Sequence, residues 1–77
     1  MSFSDELKRI RQRTFLSQEA FAQEVGVSFS TVNRCESERT IPNLAAMKNI
    51  KAFCEHNNME YSVLEDEWLN LRTENRK

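Results

Sequence analysis

The chain has 77 residues, a net charge of −1 and 30% charged residues, with one glycine, one proline and two cysteines. That length fits one small domain with a modest core, and so few glycines and prolines favour helices with short connections over sheet or disorder. No apolar run approaches the roughly 20 residues that span a bilayer, Met1–Glu6 lacks the regions of a secretion signal, and two cysteines do not make a disulfide framework, so a cytoplasmic protein is expected.

Ser4 is a suitable N-cap for a first helix from about Asp5 to Thr14, with Asp5 and Glu6 favourable at the positive end of its dipole. Leu7, Ile10 and Thr14 recur at helical spacing, and Phe3 can join their stripe. Lys8, Arg9, Arg11 and Arg13 crowd the same helix with positive charge. Phe15 and Leu16 form an apolar link to a second helix, which Ser17 caps. That helix turns Ala20, Phe21 and Val25 inward and places Ala22 where it crosses its successor. Gly26 can take the left-handed conformation that ends a helix and reverses the chain.

Val27 then plugs the turn, and Ser28 caps a third helix. Val32 and Cys35 give this helix a narrow apolar seam, against a broad side carrying Phe29, Ser30, Asn33, Arg34 and Ser37. Ile41-Pro42 marks an extended segment. A fourth helix runs from Asn43 or Leu44 to His56, with Leu44, Met47, Ile50 and Cys54 inward, and Asn57-Asn58 suits its C-cap and loop. A fifth, from about Tyr61 to Leu71, buries Leu64 and Trp68, with Tyr61 and Leu71 on the same stripe. The domain is therefore expected over residues 1–71, with 72–77 a frayed tail.

Two short helices joined by a tight turn at Gly26 form a helix-turn-helix, whose usual physical use is to hold its second helix in the major groove of DNA. The net charge alone counts against nucleic-acid binding, but its distribution matters more than the sum. Positive charge gathers on the first helix and at Arg34 and Arg39, whereas Glu65-Asp66-Glu67 lies far downstream.

The segment from Leu7 to about Leu64 resembles the phage-repressor-like helix-turn-helix domains, the lambda repressor and Cro type, also called the xenobiotic-response-element type. The resemblance rests on Leu16-Ser17-Gln18, Ala22, Gly26, Val27-Ser28, Val32, Glu36 and Pro42 in register. It implies an all-α, compact five-helix bundle with the DNA-binding unit at helices two and three. It places Gln18 against a DNA phosphate at the N-terminus of helix two, a position suited to an anion, although a solvated first-turn residue is the plain alternative. It implies a phosphate-side cap for Ser28 and groove-facing positions for Phe29, Ser30 and Arg34, with Thr31 and Asn33 beside them. Arg34 matches guanine, Ser30 either edge type, and Phe29 a thymine methyl, or else Phe29 packs on the protein surface. Ser37, Arg39 and Thr40 resemble a second phosphate contact, and Arg9 and Arg13 either reach the backbone or stay solvated. Arg11 and Glu36 resemble a partly buried ion pair joining helix one to helix three. Glu38 departs from the glycine common after the Glu36 position, so its carboxylate must point away from phosphates, or this loop is not at the DNA.

The resulting expectation is a sequence-specific, repressor-like regulator of transcription: double-stranded DNA as partner, a homodimer on a near-palindromic site, and half-sites about 10–10.5 base pairs apart. The dimer surface is expected at helix five with Tyr61, Trp68 and Leu71 or at the loop 56–61, unless these aromatics only complete the core. The alternative keeps the fold for protein binding, as in an antitoxin or a subunit of a larger regulator. An enzyme is not expected, since Cys54 and His56 point about 200° apart on one helix. No metal, cofactor, membrane or small-molecule ligand is implied. Cys35 and Cys54 read as structural thiols, with redox sensing as the other option.

Overall fold

In a computed structural model describing residues 2–75, the chain folds into five helices: α1 (Phe3–Arg13), α2 (Gln18–Val25), α3 (Phe29–Glu36), α4 (Leu44–His56) and α5 (Ser62–Asn75). The all-α architecture expected from composition is the observed one, with no strand among the described residues.

Four helix starts use the same chemistry. Ser2, Ser17, Ser28 and Asn43 each sit in extended backbone and accept a bond from the N–H three residues on, satisfying donors that the first turn leaves open. Ser17 and Ser28 cap where the sequence puts them, and Asn43 proves to be the cap of a helix that starts at Leu44. The first helix does not start where expected: Ser2, not Ser4, is its cap, at 3.2 Å from the Asp5 N–H. Ser4 lies inside the helix, 4% exposed. An earlier start lets Phe3 enter the core from the first turn, where it is 2% exposed.

The core gathers one side of every helix: Phe3, Leu7 and Ile10 from α1, Phe21, Ala22 and Val25 from α2, Val32 and Cys35 from α3, Met47, Ile50, Phe53 and Cys54 from α4, and Leu64 and Trp68 from α5. Phe21 and Phe53 meet edge to face, with ring centroids 5.2 Å apart, a favoured aromatic geometry. Phe53 is absent from the sequence-derived stripe of α4, and Leu44, expected inward, is 52% exposed. The inward face of α4 is thus rotated toward Ala46, Met47, Ile50, Phe53 and Cys54. Ala20 is only half-buried. Trp68 donates from Nε1 to the Pro42 carbonyl at 2.8 Å, tying α5 to the linker that follows α3. The backbone of α5 stays helical to Asn75, past Leu71 where its end was expected, while residues 76 and 77 of the anticipated tail lie outside the described residues.

Four helices are followed by a left-handed residue, α4 by Asn58 at φ 56°. After α2 it is Gly26 at φ 70°, with the Val27 N–H bonded to the Ala22 carbonyl at 2.9 Å. After α1 it is Phe15 at φ 59°, and after α3 it is Glu38 at φ 64°. From α4, Asn49 donates to the Val25 carbonyl at 3.1 Å, so the turn between α2 and α3 is held from outside as well. A Cβ at Gly26 would lie 3.4 Å from Asn49 Nδ2, an ordinary contact. The backbone conformation therefore sets the penalty for a side chain there. Gly26→Ala is expected to lower stability by about 1–2 kcal/mol, or roughly 4–16 °C in melting midpoint, measured by circular dichroism.

Burial pushes the thiols of Cys35 and Cys54 up to about 11 from 9.0, helped by the neighbouring carboxylates Glu36 and Glu55. Both are free and buried, so they pack as small apolar groups. An unfolded thiol ionises first as pH rises, so folded-state stability from these groups is present below pH 9 and lost between about 9 and 11. At pH 8 iodoacetamide should leave both unmodified in the native protein and alkylate both in urea, as mass spectrometry would show.

Candidate nucleic-acid interface

The outward side of α3 is built by exclusion. Val32 and Cys35 are drawn inward, and Phe29, Ser30, Asn33 and Arg34 remain exposed along the opposite side. Thr31 is half-buried beside them. Ser28 Oγ accepts from the Thr31 N–H at 3.1 Å and pairs with the Thr31 hydroxyl at 2.9 Å, which fixes the first turn. Phe29 is 50% exposed.

One ion pair controls how α3 sits on α1. Arg11 Nε donates to Glu36 Oε2 at 2.7 Å and a terminal nitrogen donates to Oε1 at 3.0 Å, while its other terminal nitrogen donates to the Leu16 carbonyl at 2.9 Å. The Glu36 side chain is 1% exposed and that of Arg11 14%. Two-point pairing fixes the guanidinium plane as well as its distance. The Leu16 bond extends the same anchor to the entry of α2.

Gln18 is not simply a solvated first-turn residue. It is half-buried, donates from Nε2 to Glu36 Oε1 at 3.0 Å and accepts at Oε1 from Asn33 Nδ2 at 3.1 Å. One amide proton remains for an outside partner. The Glu38 Oε2 accepts from the buried Ser4 hydroxyl at 3.0 Å, which turns the carboxylate toward the N-terminal end of α1. Ser4, misread as a cap, thus holds the far end of the α3 segment. Sequence reasoning had no local signal for this, because the two residues are 34 positions apart.

Ser37 Oγ donates to the Asn33 carbonyl at 2.7 Å, so its hydroxyl proton is already committed. Arg34 and Arg39 are exposed and make no ion pair among the described residues. Arg9, by contrast, is bonded to Glu6 at 2.9 Å, and Arg11 is internal, so among the described residues Lys8 and Arg13 are the cations of the first helix without an ion pair. Ser28, Thr31, Arg34, Thr40 and Asn43 line one polar groove between α3 and the start of α4. Trp68 is 4% exposed and belongs to the core, which removes it as a surface for a partner. A further exposed aromatic escaped the sequence reading: Phe15, taken as part of an apolar link, is 95% exposed.

No group of three or more potential metal ligands occurs among the described residues, and none of their helices is long and apolar enough to cross a membrane. Residues 2–56 match the family described as a helix-turn-helix domain. No curated protein and no solved structure matches the chain.

Removing the charge of Glu36 while keeping its shape leaves a largely buried guanidinium without its counter-ion. Glu36→Gln is expected to cost about 3–5 kcal/mol, a large part of the roughly 4–12 kcal/mol typical for this length. Urea unfolding at pH 7 measures it, and an unchanged midpoint would contradict the role given to the pair.

Proposed function

The chain belongs to the helix-turn-helix domain family, and from that premise we propose that it is a sequence-specific DNA-binding regulator of transcription, of the phage-repressor-like, repressing kind. The observation that carries this reading is the outward side of α3, where Ser30, Asn33 and Arg34 stand exposed on a helix anchored at its far end by a buried ion pair. In this reading α3 enters the major groove, Arg34 pairs with guanine O6 and N7, Ser30 bonds a neighbouring base, and Phe29 covers a thymine methyl. Residues 1–71 form the DNA-binding unit, acting in the cytoplasm without a catalytic step.

Backbone contacts flank the reading helix. Gln18 offers its remaining Nε2 proton to a phosphate at the start of α2, where the helix dipole favours an anion. Ser28 and Thr31 border the polar groove on one side and Thr40 on the other, and Arg39 stands exposed next to Thr40 in the chain. Ser37 reaches a phosphate only by rotating its hydroxyl away from the Asn33 carbonyl. One reading helix covers too few base pairs for useful selectivity, which favours a homodimer on a near-palindromic site.

A protein-binding role, as in an antitoxin or a subunit of a larger regulator, draws on Phe15, whose ring is 95% exposed, and on the net charge of −1. Selection from a random duplex library at low salt separates the readings. DNA binding predicts enriched sites with two half-sites about 10–10.5 base pairs apart. Arg34→Ala should then cost about 1–3 kcal/mol and relax one guanine position, whereas Arg39→Ala should weaken all sequences alike and reduce the salt slope by about one. Absence of any consensus, with a stoichiometric protein partner recovered, would favour the alternative.

A further inference from the structure

A hydrogen-bond chain joins the buried ion pair to the exposed side of α3, and its direction is dictated at the buried end. A guanidinium only donates and a carboxylate only accepts. Glu36 therefore receives bonds from Arg11 at 2.7 and 3.0 Å and from Nε2 of Gln18 at 3.0 Å. With its nitrogen turned to the carboxylate, Gln18 shows its oxygen to α3, where Asn33 Nδ2 donates to it at 3.1 Å. Reversing the Gln18 amide would set two acceptors against each other at one end and two donors at the other. Asn33, exposed on the side that carries Ser30 and Arg34, is thus left with its Oδ1 and one N–H unused.

We propose that Asn33 selects adenine at one position of each half-site, with Gln18 as the residue that holds its amide in the selecting orientation. This rests on the DNA-binding reading above. An acceptor beside a donor matches the N6 amino group and N7 of adenine in the major groove. Guanine presents two acceptors at that edge, so Oδ1 would oppose O6. Cytosine offers a donor without N7, and thymine an acceptor beside a methyl, so neither takes both bonds. An unrestrained asparagine can rotate its amide to suit either pattern; here Arg11, Glu36 and Gln18 remove that freedom.

Sites selected by the full chain from a random duplex library, compared with those of Asn33→Asp and Gln18→Ala, test the assignment. The parent is expected to prefer adenine at one position per half-site by roughly 5- to 150-fold. Asn33→Asp, which only accepts, should move that position to cytosine. Gln18→Ala should weaken the adenine preference while the guanine facing Arg34 is still selected. Parent-like adenine preference in either variant overturns the assignment and leaves the DNA-binding reading intact. A parent chain that enriches no sequence overturns both. Because Asn33 is exposed, Asn33→Asp decides the matter even if Gln18→Ala fails to fold.

Discussion

The contact between Arg11 and Glu36 is the constraint from which the arrangement of the first three helices follows. A carboxylate buried to 1% exposure needs its donors, and all of them come from two neighbouring elements: α1 through Arg11 and the start of α2 through Gln18. Such a pair is weak as a source of net stability, because removing two charges from water offsets much of their attraction. Its value is geometric. The guanidinium fork admits one orientation of the carboxylate, and Glu36 closes α3, so the outward helix has a fixed rotation and a fixed end.

A second carboxylate, two residues further on, repeats the device. Glu38 occupies a left-handed position that glycine fills more easily, and it is held there by the Ser4 hydroxyl at 3.0 Å. The bond carries the chain leaving α3 back across the N-terminal end of α1, before Pro42 and Trp68 pin the start of α4 and α5. Two acidic residues that count against an interface with polyanions when tallied by composition are both turned inward or sideways. What remains outward on this side is Arg34, Arg39, the ring-bearing Phe29 and neutral polar groups.

The local features of the fold were legible in the sequence because their chemistry is local. Ser17, Ser28, Asn43 and Gly26 act on backbone groups within a few residues, and so their positions follow from residue type. Ser4 misled because Ser2 offers the same capping chemistry two residues earlier, and only the depth of Phe3 in the core decides between them. Leu44 and Phe53 misled because the periodicity of α4 tolerates a small rotation, and the choice is made by Phe21 on another helix. In the site, the pairing of Arg11 with Glu36 could be anticipated from a family pattern. The engagement of Gln18 with Asn33, and of Glu38 with Ser4, depends on which side chains the bundle brings together, and no spacing rule contains that information.

Phe15 stands apart from this economy of contacts. Its ring is 95% exposed and its backbone lies in the left-handed region, at φ 59°, a conformation that costs a non-glycine residue about 1–2 kcal/mol. Neither the packing of the bundle nor the reading side of α3 draws on it. The heat tolerance of this domain is therefore capped by a loop as well as by its interior. A designer could raise that ceiling with a glycine at this bend, leaving every buried side chain and every outward donor of α3 untouched.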